Sequence, residues 1–340
     1  MSKTIEVLDD KQPYLSAFAA LEKETSRPAW LGRLRKAAMA RFDERGFPTL
    51  RDEEWRFTNV TPLARTTFQP VSRLELHGLT VEKLHWASLW NEESPRLVFV
   101  NGQFAAGLSC LESLPAGVQA GSLRRLLQER PAELEPHLAR HAAFDEHPFV
   151  ALNTALFTDG ACLVIPRGLV VPRPIHVLFV STVPDQPIVS HPRMLVLAGV
   201  QSQATLLESY VGFDRECYFS NAVTEVVLAE GAVLDHYKLQ QESPESYHLA
   251  TMHVHQGRSS NFRSHSISLG GGLVRNDVRA VLDAEGCECT LNGLYLGSGR
   301  QLIDNHTRID HARPHCASHE LYKGILDGRA RGVFNGKIYV

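Results

Sequence analysis

Five strand-like segments recur along the second half of the chain at almost constant spacing. ATLLES from Ala204, AVLDHY from Ala232, NFRSHS from Asn261, CTLNGL from Cys289 and CASHEL from Cys316 follow at intervals of 28, 29, 28 and 27 residues. Between them lies a second family of strands, NAVTEVVL (221–228), HLATMHVH (248–255), LVRNDVRAVL (273–282) and LIDNHTRIDH (302–311), again about one per period. Glycine-bearing corners, AEGA (229–232), LGGG (269–272), AEGC (284–287) and GSGR (297–300), separate the two families. Two strands and a tight corner per period describe a β-solenoid, in which each turn buries its inward face against the next. A β-sandwich also places strands at short intervals, but it does not require the same strand content at one fixed offset over four intervals.

The expected fold is therefore mainly β, with a β-helix core over 148–340 behind a mixed, partly helical region over 1–147. In that first region Trp30, Leu31, Leu34, Ala38 and Phe42 share one helical face, which Gly46 and Pro48 terminate. RDEEWRFTNVTPL (51–63) reads as an extended segment clamped by burial of Trp55 and Phe57. LVFVNGQFAAGL (97–108) reads as a strand, an Asn-Gly turn and a return strand. A second helical stretch at 122–141 should break or restart at Pro131. From about residue 150 the periodicity is that of strands alone.

A chain of 340 residues with 44% hydrophobic and 21% charged residues can bury a full core, which excludes global disorder and collagen-like repetition. The formal charge of −3 gives no global field toward nucleic acid or anionic lipid. MSKTIEVLDDKQPY carries acids where a signal peptide needs an apolar core, and no apolar run reaches membrane-spanning length. Six dispersed cysteines fit a reducing cytoplasm. The expectation is a cytoplasmic protein with neither nucleic-acid nor membrane partners. GRARGVFNGKIYV (328–340) is strand-like to its last residue, so the solenoid is expected to present an open edge. That edge implies C-terminal truncation or cover by another subunit, with homodimerisation through it as one outcome.

Nine of the sixteen histidines and four of the six cysteines lie between Cys217 and His319. Cys287 and Cys289 sit two apart on a strand, about 6.6 Å by strand rise, a separation suited to sharing a soft metal. Cys316 and His315, one period further on, are the residues a solenoid would bring beside them, so Cys287, Cys289, Cys316 and His315 form the candidate metal set. Buried thiols packed as small hydrophobes account for the same pattern. His311, His315 and His319 are spaced four apart, but Pro314 argues against one continuous helix and the glutamate of HExxH is missing. His253 and His255 share a strand face without a nearby acid in sequence. Asp277, Asp283, Asp304 and Asp310 read as solvated strand positions. No G-x-x-x-x-G-K-[ST] loop or G-x-S-x-G elbow occurs, so no nucleotide hydrolysis or serine chemistry is expected.

Long strings of the sequence bear a family likeness. RDEEWRFTNVTPL, HPRMLVLAGVQSQATLLESYVG (191–212), FRSHSISLGGGLVRNDV (262–278), LNGLYLGSGRQLIDNHTRIDHARPHCASHELYKGIL (291–326) and GRARGVFNGKIYV closely resemble the SufB/SufD family of the SUF iron–sulfur cluster assembly system. The EEWRFTN-type element is more similar to the SufD branch than to the SufB branch. The resemblance implies a right-handed parallel β-helix that pairs edge to edge with SufB and carries the ATPase SufC through a C-terminal helical segment. It implies a non-catalytic scaffold that holds no cofactor alone, the iron–sulfur cluster being transient in the full SufBCD complex. Family members continue past the counterpart of Val340 into a Cys-x-His-Gly motif whose histidine is implicated in cluster assembly. No position of this sequence inherits that role, and His311, His315 and His319 are not put in its place. A stand-alone metal-dependent β-helix enzyme and a SufB-type paralogue are the alternative expectations.

Overall fold

The structure, a computed structural model, describes residues 11–23, 28–71, 73–87, 93–183, 185–213 and 215–340. Helix α1 (Gln12–Leu21) precedes α2 (Ala29–Arg45), whose Leu31, Ala38 and Phe42 are buried as their spacing predicts. Gly46, at φ +66°, ends α2 by donating its N–H to Phe42 O. The 51–63 stretch is not extended. It forms one 3-10 turn at Glu53–Trp55 and the short helix α3 (Thr61–Arg65), where Pro62 is tolerated because a first-turn N–H has no intrahelical acceptor. Trp55 is buried as expected, but Phe57 is 56% exposed, so the aromatic alternation does not mark two faces of a strand.

After β1 (Gln69–Pro70) and α4 (Val81–Ala87), the strands β2 (Arg96–Val100) and β3 (Gln103–Phe104) form the expected antiparallel hairpin. Its turn residues Asn101 and Gly102 have φ of +50° and +78°, the left-handed pair that a two-residue turn needs. Strand β4 (Gln119–Ser122) leads into α5 (Leu123–Glu129), capped by the Ser122 hydroxyl accepting from the Arg125 N–H. Pro131 restarts the chain as α6 (Pro131–Leu134). Helix α7 (Pro148–Leu156) lies beyond the point where only strands were expected. All nine of its residues are buried, so it shows no polar face, and periodicity alone cannot separate such a helix from a buried strand.

The solenoid follows in about six turns. Its strands are β5 (Gly160–Ile165), β6 (Ile175–Ser181), β7 (Ile188–Ser190), β8 (Arg193–Ala198), β9 (Gln203–Gly212), β10 (Tyr218–Leu228), β11 (Val233–Gln241), β12 (Tyr247–Gln256), β13 (Asn261–Ser268), β14 (Leu273–Leu282), β15 (Glu288–Gly297), β16 (Leu302–His311), β17 (Ala317–Leu326) and β18 (Arg331–Tyr339). They stack into two sheets, one ordered β18-β16-β14-β12-β10-β8-β5-β4 and the other β17-β15-β13-β11-β9-β6-β2-β3, with β7 also pairing β10 and β1 pairing β7. Neighbouring rungs pair in parallel, for example Phe262↔Cys289 and Asn305↔Phe334. The first region supplies strands to both sheets, since β2 pairs with β6 and β4 with β5. Between the sheets a continuous apolar core includes Leu206, Leu234, Phe262, Val226, Val254 and Ala280.

The corners explain the repeated glycines. Gly231, Ser259, Gly286 and His315 all sit at positive φ, +64°, +51°, +73° and +60°, at matching places on successive turns. A left-handed residue costs an L side chain roughly 1–2 kcal/mol, which glycine avoids. A Cβ on Gly286 would also come within 3.1 Å of Ser259 Oγ. Gly286→Ala is therefore expected to lower stability by about 1–2 kcal/mol in urea unfolding. An unchanged midpoint would mean that the left-handed corner imposes no strain there.

On the β17–β18 rung, Leu321, Ile325, Phe334 and Ile338 are 54%, 62%, 45% and 58% exposed. There β17 pairs with β15 and β18 with β16, both in parallel.

Candidate functional site

Three places in the fold concentrate chemistry. The first is the outer face of the β10–β18 sheet, onto which the helical region docks. Parallel register stacks Glu225, His253, Arg279, Arg308 and Lys337 into one outward column and Asp277 with His306 into the next. The Glu53–Trp55 turn lies against this face. Arg275 is its hub: it forks onto Asp277 with two contacts of 2.9 Å, reaches Asp304 at 2.7 Å and donates to Glu54 O at 2.7 Å. Its guanidinium stacks 3.9 Å over the Trp55 ring. Thr58 donates to Asp304, Lys337 to Glu54, and His147 Nε2 lies 3.3 Å from Asp277. Despite burial, which opposes charge, Arg275 and His147 hold Asp277 well below the usual carboxylate range. Beside this network lies a cleft of about 290 Å³ lined by His147, His253, Arg279, His306 and Tyr339, among others.

Two turns earlier on the same face, Glu225 fastens the helical region. Its carboxylate accepts backbone N–H groups from Ala139, His141 and Ala142 at 2.7, 3.0 and 3.0 Å and pairs with fully buried Arg193. Arg193 also donates to Asn153 and Thr154 of α7, each at 3.1 Å.

The second place is the lumen. Tyr210 donates to Glu208 at 2.6 Å, and His236 Nε2 bonds the other Glu208 oxygen at 2.8 Å. Lys238 Nζ bonds Asn276 Oδ1 at 2.7 Å and His248 Nε2 at 3.0 Å, while His248 Nδ1 lies 2.6 Å from Glu242. Burial would raise Glu208, but His236 and Lys238 bring it down to about 2, whereas burial lowers Lys238 to about 8. The free space here is about 20 Å³, room for one water. These residues form a satisfied polar core rather than a ligand chamber.

The third place is the cysteine corner. Cys287 and Cys289 are fully buried in the solenoid core, and burial pushes the Cys289 thiol up to about 12. Cys316 comes back beside Cys287 as a one-period offset requires: both sulfurs approach Ala284 O, at 3.1 and 3.2 Å. His315 is exposed at the corner itself. Among the described residues no three His, Cys, Asp or Glu side chains gather in a metal-holding arrangement.

Other sequence candidates scatter. His311 ends β16, His315 lies in the turn and His319 is in β17, so they share no helix. His255 bonds Asp283 across the rungs at 3.1 Å and packs against His141 with ring centroids 4.9 Å apart. Asp304 is not solvated; it is buried because Arg275 neutralises it, and Asp277 and Asp310 are likewise paired with arginines. Sequence reading also missed the lumenal Glu208, His236 and Lys238. The signal was their phase, since they occupy the same alternate positions as apolar Leu206 and Leu234.

Comparison with known proteins agrees with this architecture in both halves. Residues 9–177 match the family model for the SufBD protein N-terminal region, and residues 179–340 match that for the SufBD core domain of SUF system FeS cluster assembly. An iron–sulfur cluster assembly SufBD family protein of Synechocystis sp. is 34% identical over 301 residues, covering 86% of this chain and 66% of that protein. The iron–sulfur cluster assembly protein SufD of Escherichia coli is 25% identical over 87% of this chain and 66% of its own length. SufD of Bacillus subtilis is 26% identical over 96% and 74%. The chain thus spans about two thirds of the length of the first two relatives. The helical region docked on the stacked two-strand turns is the order of these two matched domains, and the chain belongs to the SufBD family of the SUF iron–sulfur cluster assembly system.

Proposed function

We propose that this chain belongs to a scaffold subunit of iron–sulfur cluster assembly that does no chemistry alone. It pairs with SufB and the ATPase SufC in a SufBCD complex, within a reducing cytoplasm, where the nascent cluster is cargo. The observation that carries this reading is the match of both halves to SufBD domains in their order along the chain. Two features of the molecule support it. The charged groups of the outer-face hub are spent on one another, which suits a rigid platform rather than a substrate cavity. The parallel rungs stack without interruption from β9 to β18 around a lumen with room for one water, again a rigid body rather than a ligand chamber. The six free cysteines agree with a reducing compartment, and among the described residues no helix is long and apolar enough to cross a membrane.

Affinity capture of the whole gene product from cells co-expressing SufB and SufC tests the reading. Both proteins are expected in the eluate at stoichiometric levels. Recovery of the tagged protein free of both would overturn it.

A further inference from the structure

The corners entering β15 and β17 set two thiols on one carbonyl oxygen. Cys287 Sγ lies 3.1 Å from Ala284 O, and Cys316 Sγ lies 3.2 Å from the same atom. The backbone explains the coincidence. Ala317 N donates to Cys287 O at 2.9 Å, and Glu288 pairs with Ala317, so the two cysteines hold equivalent places on consecutive rungs. Adjacent strands are about 4.8 Å apart, inside the roughly 4.4–6.8 Å Cα separation that a disulfide spans. Cys289, by contrast, faces the apolar lumen, about 6.6 Å from Cys287 along the strand.

Access to the pair is unequal. Cys287 is fully buried and also donates toward Gly257 O at 3.1 Å, whereas Cys316 is partly exposed next to the open corner at Pro314 and His315. An oxidant arriving from solvent meets Cys316 first, and Cys287 stands behind it.

We propose that Cys287 and Cys316 are a reversible redox pair that a hydroperoxide closes into a disulfide, stapling the β15 rung to the β17 rung. The Cys316 thiolate attacks the terminal peroxide oxygen, the O–O bond breaks, and Cys316 becomes a sulfenic acid while the peroxide leaves as its alcohol, or as water from hydrogen peroxide. The Cys287 sulfur then attacks the Cys316 sulfur. The S–S bond forms, the S–O bond breaks, and the hydroxyl leaves with the Cys287 proton as water. Two thiols lose two electrons in total and the peroxide gains them; a small dithiol reverses the change by exchange. Burial raises the Cys287 thiol, which suits it to the second, resolving step rather than to first contact with the oxidant. This site does not depend on the scaffold reading, because it follows from rung register alone.

The test treats the reduced, folded protein with hydrogen peroxide, caps remaining thiols with N-ethylmaleimide in denaturant and maps the peptides without reduction. The expected product is a cross-linked peptide joining Cys287 to Cys316, lighter by a pair of hydrogens and separated again by dithiothreitol. Cys289→Ser should keep the cross-link, and Cys316→Ser should lose it and leave Cys287 capped. Fragment spectra of the unmodified sequence distinguish Cys287 from Cys289 if the Cys289 variant fails to fold. The proposal is overturned if both thiols are recovered capped after peroxide, if Cys316 is found as a sulfinic acid beside a capped Cys287, or if either is joined to another cysteine.

Discussion

Replacing Glu225 with alanine is expected to destabilise the protein by about 3–5 kcal/mol, among the largest effects of any single substitution in this fold. The change leaves the Arg193 guanidinium fully buried without its counter-ion and strips three backbone donors, from Ala139, His141 and Ala142, of their acceptor. The damage should be local before it is global. Amide exchange at residues 139–142 should accelerate first, because these residues reach the solenoid through that carboxylate, while the lumenal strands stay protected. Removing both partners, as Arg193→Met with Glu225→Leu, should cost less than Glu225→Ala alone, since no buried charge is then left unpaired. Urea unfolding of the three proteins decides the matter. If Glu225→Ala lies within about 1 kcal/mol of the parent, the carboxylate does not anchor the helical region.

Stability should also fall steeply as the pH drops from about 6.5 to 4. Burial holds His191 down to about 3; burial, and secondarily Arg96, holds His176 down to about 4. Both stay neutral in the folded protein where an unfolded chain, with histidine near 6.5, takes up a proton. The unfolded state therefore binds more protons across this window, so their contribution is complete above pH 6.5 and is lost as pH falls through it. Two such groups give a slope of about 3 kcal/mol per pH unit. His253, lowered to about 4 by burial but partly exposed, adds in the same direction. Glu208 extends the loss below pH 4.5, because its folded value is about 2. Asp159 and Glu320, raised by burial, oppose the trend in part. Urea midpoints at pH 7, 5.5 and 4.5 measure the slope, and His191→Asn should reduce it by about 1.4 kcal/mol per unit. A flat profile from pH 7 to 5 would show that these rings are protonated inside the fold.

The solenoid was legible because its information is repeated. Strand-like segments beginning near Ala204, Ala232, Asn261, Cys289 and Cys316 recur once per turn, and glycines mark the corners, although the true register stacks Ala204, Leu234, Phe262, Cys289 and Ser318. Helix α7 was illegible for the opposite reason, being buried on every side and so carrying no amphipathic signal. In the 51–63 stretch the alternation of Trp55 and Phe57 imitates a strand, yet a docking contact with Arg275 decides Trp55, while Phe57 stays exposed with the Arg56 guanidinium over its ring. For the candidate site, the one-period proximity of Cys287 and Cys316 could be read from their spacing, but not the exposure of His315, which sits at a left-handed corner. The charged positions misled most. Asp304 reads as solvated and Glu208 carries no mark of its own, yet both are buried because of their partners, Arg275 on a neighbouring rung and His236 one turn on.

The donation of β2 and β4 to the two sheets bears on how the chain is made. Residues 96–100 and 119–122 are synthesised before their partners at 175–181 and 160–165, so the leading strands wait as a template. Once they are met, every later coil finds its neighbour already laid down, and winding can keep pace with the ribosome one turn at a time. The clasp at Glu225 emerges once the β5–β6 and β8–β9 coils have been synthesised, so the helical region can be fastened to the outer face while the strands from β11 to β18 are still to come.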